Sequence, residues 1–177
     1  MTKILLIGPQ GAGKSTQAKL LSQYLGIPFI STGDIFREIS SEDSPEGIRI
    51  REILGQGRLV DDKTVSEMVQ KKLGQDSFKN GFIIDGYPRT LEQINYFDPT
   101  FDKVLYLNLS DEEATKRLLN RGREDDTEDL IANRLKQYHD LTDSIIDYYE
   151  KKGILKEING SKSIIDVAKD LKRAVNE

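Results

Sequence analysis

Five short apolar runs punctuate the chain, and between them apolar residues recur three and four apart. Lys3 to Ile7 (KILLI), Ile27 to Ile30 (IPFI), Phe82 to Ile84 within GFIIDGYPRT, Lys103 to Leu109 (KVLYLNL) and Ile154 to Ile158 (ILKEI) read as buried strands. Helical spacing follows at Ala18, Leu21 and Leu25, at Ile48, Ile50, Ile53 and Leu54, and at Val65, Met68, Val69 and Leu73. It returns at Leu118 and Leu119, along Ile131, Leu135, Tyr138, Leu141, Ile145 and Tyr149, and at Ile165, Ala168, Leu171 and Val175. Gly26 and Gly74 read as stops, Asp61 and Asp62 as a cap, and Ser110 with Glu113 as a capping box. Strand alternating with helix predicts an α/β fold with three α/β/α layers around a five-stranded parallel sheet, because parallel neighbours need crossover helices. Residues 31–60 carry little continuous apolar surface and predict a small helical insert on the strand ends.

Composition narrows the class. The 177 residues are 37% hydrophobic and 32% charged, enough for one core with small inserts. A net charge of −4 supplies no global basic field for nucleic acid or an acidic membrane, so an anionic ligand must be met by local Arg and Lys. The chain contains no cysteine, which excludes disulfides and thiolate zinc sites and fits a reducing compartment. No apolar run is long enough for a signal-peptide core or a membrane span. The expectation is a cytoplasmic protein that binds neither nucleic acid nor membrane. The lack of a sticky apolar surface stretch favours a monomer.

The chemistry begins directly after the first strand. GPQGAGKST, from Gly8 to Thr16, places Gly8, Gly13, Lys14 and Ser15 at the spacing of a phosphate-binding loop between a strand and a helix. Gly11, Ala12 and Gly13 can turn backbone N–H groups toward phosphate oxygens, and the following helix presents its positive end. Lys14 suits the outer phosphates of a nucleoside triphosphate, and the hydroxyl of Ser15 or Thr16 suits Mg²⁺. The fold is thus of the P-loop NTPase type. Asp85, closing the third strand, is placed to hold Mg²⁺ through water. Arg37, Arg89, Arg121, Arg123 and Arg134 all read as lying at element ends or in loops on one rim. Guanidinium forks gripping phosphate oxygens fit phosphoryl transfer, in which positioning and charge stabilisation dominate. His139, the one histidine, reads as a helix-surface residue. From these residues alone, a kinase for a small acceptor and a regulatory ATP-binding module without acceptor both remain open. An RNA-associated ATPase is disfavoured by the acidic balance.

Six ordered segments narrow the choice. GPQGAGKSTQ, STGDIFRE, GRLVDD, DGYPRTLEQ, RGREDD with Arg134-Leu135, and the glycine at 160 resemble the adenylate kinase family of nucleoside monophosphate kinases across nearly the whole chain. The resemblance implies reversible phosphoryl transfer from MgATP to AMP giving two ADP. It implies a core of residues 1–30, 61–120 and 127–177, an NMP-binding insert at 31–60 and a minimal lid at 121–126. Thr32, Gly33, Arg37, Leu59, Val60, Gly86, Arg89 and Gln93 then look like the AMP side. Lys14, Arg89, Arg121, Arg123 and Arg134 look catalytic, Arg121 and Gly160 join the loop on the ATP side, and Mg²⁺ accompanies ATP. UMP/CMP kinases are the alternative within this family, and Thr32 with Thr90 favours AMP. Two departures stand out. Ser15 replaces the usual glycine, leaving open which hydroxyl faces Mg²⁺, and only Gly122 separates Arg121 from Arg123. So short a lid predicts weaker water exclusion.

Overall fold

Side chains along the first strand alternate between two cores. In the computed structural model, which describes residues 1–56, 59–122 and 126–177, β1 spans Thr2–Ile7. Its Ile4 and Leu6 join one apolar cluster, and its Leu5 and Ile7 join the other. The remaining strands are β2 (Phe29–Ser31), β3 (Gly81–Asp85), β4 (Lys103–Asn108) and β5 (Leu155–Asn159). All pair in parallel in the order β2-β3-β1-β4-β5, as the five apolar runs predict. The second strand lies slightly later than IPFI.

Helices cover both faces. They are α1 (Lys14–Leu25), α2 (Thr32–Ser40), α3 (Pro45–Gly55), α4 (Asp62–Leu73), α5 (Leu91–Tyr96), α6 (Asp111–Arg121), α7 (Glu128–Lys151) and α8 (Ile164–Asn176). Ala18 and Leu21 of α1, Leu118 of α6, and Val167 and Leu171 of α8 fill one face beside Ile83 and Leu105. Ile35 and Ile39 of α2, Ile50 of α3, and Val65 and Met68 of α4 fill the other beside Phe82 and Ile84. The helices of residues 31–60 thus bury their few apolar side chains in the second core. The long α7 contributes Ile131 and Leu135 to the first core and Ile145 and Tyr149 to the second. Among the described residues, no helix is long and apolar enough to cross a membrane.

The helix starts are chemically specified. Ser31 and Asp34 form a reciprocal capping box on α2, and Ser44 precedes Pro45 on α3. On α6, the Ser110 hydroxyl accepts from the Glu113 N–H, but the Glu113 carboxylate goes to Arg117 at 2.9 Å. The capping box read at Ser110 is therefore only half present, because an i, i+4 guanidinium outcompetes the return bond. Asp61 caps α4, accepting from the Thr64 N–H at 2.9 Å and its hydroxyl at 2.8 Å. The N–H bond, then the hydroxyl bond, hold the Asp61 carboxyl below its ordinary pKa.

At the carboxyl end of β3 the chain must turn within a crowded space. Gly86 has φ +88°, a left-handed conformation, and a Cβ there would collide with Thr32 Oγ1. The Thr32 hydroxyl, itself buried, donates to the Asp85 carbonyl at 3.3 Å, tying the start of α2 to the end of β3. The Tyr87–Pro88 peptide that follows is cis.

Two stability predictions follow from these contacts. Gly86→Ala is expected to destabilise by about 1–2 kcal/mol through its backbone alone, with more from the collision. Combining it with Thr32→Ala removes the colliding atom, so a double-mutant cycle in urea should show a coupling of about 1 kcal/mol or more in the relieving direction. Asp61→Ala should cost about 1 kcal/mol at neutral pH. Because the folded pKa of Asp61 is lowered, that stability is present above the unfolded carboxylate pKa and is lost as pH falls through the folded value. Melts of wild type and D61A should therefore converge in acid.

Candidate active site

The loop from Gly8 to Gly13 closes on itself before it can meet any ligand. The Ala12 N–H donates to the Pro9 carbonyl at 3.2 Å, and Gly13 precedes α1 with φ +80°, a conformation natural to glycine. No side chain caps the start of α1, whose first-turn N–H groups stand at the positive end of the helix dipole. Lys14 folds over the loop, its Nζ donating to the carbonyls of Gly8 at 2.7 Å and Pro9 at 3.1 Å. Those carbonyls hold the ammonium where an anion in the loop would meet it. Ser15 and Thr16 both stand exposed on the first turn.

Asp85 and Arg89 face this loop from the neighbouring strand end. In the β1–β3 register, Leu6 lies opposite Asp85. Burial pushes the Asp85 carboxyl above its ordinary pKa, opposed by the charges of Lys14 and Arg89. Burial likewise lowers the pKa of Lys14, with Asp85 raising it and Arg89 lowering it further. The Arg89 guanidinium is aimed by its Nε, which donates to the Gly86 carbonyl at 3.1 Å. Its backbone N–H donates to Gln93 Oε1 at 2.7 Å.

A cleft of about 400 Å³ joins these parts. Its walls include Gly8, Lys14, Leu59, Asp85, Gly86, Arg89 and Arg134. Arg134 lies two turns inside α7 rather than at an element end, a correction to the sequence reading. The helix axis carries it to the cleft, which Gln137 and Leu141, one and two turns later, also line. Leu59 is 86% exposed, and Val60 is half-buried. Thr32 and Gln93 are buried. Arg37 pairs with Asp34 on α2, on whose first turn Gly33 lies. Gly160, after β5, donates its N–H to the Asn108 carbonyl at 2.7 Å, and its own carbonyl accepts from Arg117 at 2.9 Å. Arg123 lies outside the described residues.

One carboxylate organises two of the predicted arginines. Asp126, whose side chain is fully buried, receives a two-pronged fork from Arg121, Nε at 2.8 Å and Nη2 at 2.7 Å. Arg134 Nη1 reaches the same carboxylate at 3.5 Å. Asp126 was legible only as one of three acids after RGR; nothing in the spacing says that it holds both arginines. Arg117 and Asp62 were missed too. For Asp62 a signal exists: once Asp61 caps α4, its neighbour's carboxylate is available to another element. His139 pairs with Asp111 at 2.8 Å between α7 and α6, a helix-surface role as read.

For a magnesium ion the donors present are the hydroxyls of Ser15 and Thr16 and the Asp85 carboxylate. An oxygen-only set with one carboxylate fits a hard cation that keeps most of its ligands as water and phosphate oxygen. Among the described residues, no group of three or more His, Cys, Asp or Glu could form an all-protein metal cage.

The sequence model of the adenylate kinase family matches residues 6–154. Adenylate kinase 1 of Nostoc sp. is 41% identical over 179 residues, covering 97% of this chain and 97% of the relative. The adenylate kinase of Prochlorococcus marinus is 40% identical over 181 residues, covering 98% and 97%, and that of Mycobacteroides abscessus 41% over 172 residues, covering 93% and 94%. With a family match over most of its length and relatives matched nearly end to end, the chain belongs to the adenylate kinase family.

Proposed function

We propose that this chain is an ATP:AMP phosphotransferase that moves the terminal phosphoryl group of ATP to AMP, reversibly, giving two ADP. The observation that carries the reading is the shared cleft, whose walls bring the phosphate-loop Lys14 together with Gly86 and Arg89 at the end of β3 and Arg134 of α7. A regulatory ATP-binding module would have no use for the second set. In the reaction, the bond between the β,γ-bridging oxygen and the γ-phosphorus breaks, and a phosphate oxygen of AMP forms the new one. No general base is needed, because the acceptor oxygen is already ionised.

On the ATP side, the N–H groups from Gly11 to Thr16 and the ammonium of Lys14 take the phosphates, Lys14 exchanging its loop carbonyls for phosphate oxygens. Gly160 and Arg121 complete that side. On the AMP side, Arg37 and Arg89 take the phosphate, while Thr32, Gly33, Leu59, Val60, Gly86 and Gln93 surround the base. Arg89, Arg121, Arg123 and Arg134 spread the charge of the phosphoryl group in flight. Ser15 or Thr16, and Asp85 through water, would hold magnesium, which would supply charge neutralisation on the phosphates. Residues 31–60 act as the AMP-binding insert and 121–126 as the lid, on a core of 1–30, 61–120 and 127–177. The enzyme works as a cytoplasmic monomer.

Incubation with MgATP and AMP, UMP, CMP or GMP in turn tests the acceptor. ADP formation dependent on AMP is expected, and a preference for UMP or CMP would replace the reading. Lys14→Met should lower kcat by about 10²–10³-fold, the scale of removing one preorganised charge donor. The one-residue spacing between Arg121 and Arg123 predicts measurable ATP hydrolysis without AMP. A background equal to that of a relative with a longer lid would refute weaker water exclusion.

A further inference from the structure

We propose that Asp62 helps to select the acceptor base, by fixing which way the side-chain amide of Gln93 points. The proposal rests on the reading above that Gln93 meets the base. Gln93, 5% exposed, sits on the first turn of α5. Its Nε2 donates to Asp62 Oδ1 at 2.8 Å, and its Oε1 accepts from the Arg89 N–H at 2.7 Å. The other oxygen of Asp62 accepts from the Thr90 hydroxyl at 2.8 Å. Thr90 in turn accepts from the Gln93 N–H at 3.1 Å, and the Gln93 carbonyl lies 2.9 Å from the buried Tyr87 hydroxyl. Backbone and side chain are both located by neighbours from α4, α5 and the β3 turn.

The two partners of the amide are chemically one-way. An ionised carboxylate only accepts, and a backbone N–H only donates. Turning the amide over would set its NH₂ against the Arg89 N–H and its carbonyl against the Asp62 carboxylate, losing both bonds and creating two repulsions. Gln93 therefore keeps for a base one remaining proton on nitrogen and one remaining lone pair on oxygen, in fixed order. Adenine answers with an exocyclic amino donor beside a ring-nitrogen acceptor. Guanine presents an oxygen acceptor beside a ring N–H donor, the reverse order, and can be satisfied only by the flipped amide. Asp62 is a positioning residue in this scheme, acting through Gln93 rather than on the nucleotide.

Asp62→Asn tests the idea, because an asparagine at 62 can present either a donor or an acceptor to Gln93 and so removes one of the two constraints. Expected are a higher KM for AMP, an unchanged KM for ATP, and a fall in the AMP-over-GMP ratio of kcat/KM of roughly tenfold, the scale of one hydrogen bond to a charged group. Asp62→Glu keeps the charge at the start of α4 but displaces the carboxylate by one methylene. It should shift the ratio in the same direction and serves if D62N folds poorly. A merely structural role would lower activity with every acceptor and leave the ratio intact; an unchanged ratio in the folded variants overturns the proposal. Gln93→Leu separates the two layers of the argument. If it raises KM for AMP while the Asp62 variants leave the ratio untouched, the inference about Asp62 falls alone. If it leaves KM for AMP unchanged, the reading of Gln93 as a base contact falls and the proposal with it.

Discussion

Everything at this site depends on β1 lying between β3 and β4 in one parallel sheet. Parallel pairing puts the carboxyl ends of all five strands on one rim. From adjacent ends the chain then leaves toward opposite faces: after β1 it enters α1 over the first core, and after β3 it enters α5 over the second. The divergence opens a crevice between the two strand ends, the place where open α/β sheets bind ligands. Gly8 to Lys14 line one wall and Asp85 to Arg89 the other because the topology leaves them nowhere else to go.

That crevice concentrates positive charge in a protein whose net charge is −4. Among the described residues, self-repulsion is eased by local counterparts. On the crevice walls Lys14 rests on two carbonyls, Arg89 on one and Arg134 on Asp126, while Arg37 pairs with Asp34 and Arg121 shares Asp126. Each counterpart also fixes a direction, so the same contacts that make the cluster tolerable aim it. The opposed shifts of Lys14 and Asp85 share one cause, since burial disfavours charge on either sign of group. A triphosphate entering the loop would bring negative charge, which favours the ammonium form of Lys14 against the effect of burial.

The fold was legible because its signals are local. Five apolar runs and the caps at Asp61 and Ser110 depend on neighbours within a few residues, and the chain obeys them except in the return bond of Glu113. The phosphate loop was legible for the same reason. What stayed hidden is long-range polar bonding. Asp62 meets Gln93 across 31 residues, and Arg117 meets Gly160 across 43. A carboxylate satisfied by another element leaves no periodicity and no spacing rule. Arg134 shows the middle case: its place beside Leu135 of the apolar stripe was readable, whereas its link to Asp126 was not. Glu113 shows the converse, a local motif overridden by an equally local guanidinium four residues on.

The two walls differ in how firmly they are set. On the β3 side, Gly86 has no room for a Cβ, Thr32 is tied to the Asp85 carbonyl, and the Gln93 amide is held at both ends. These contacts are to backbone groups or to the half-buried Asp62 carboxylate, all parts of the fold itself. On the loop side, Lys14 is held by carbonyls that a phosphate oxygen could replace, bringing a full charge in place of a partial one. Under the proposed reaction this asymmetry suits the two substrates. The acceptor is a monophosphate with little charge to grip, so recognition must lie in a preorganised edge that fits its base. The donor carries its charge in the part that reacts, so its wall gains by being satisfied internally until that charge arrives. Rigidity then belongs where a base is chosen, and exchangeable partners belong where a phosphoryl group must be received and released.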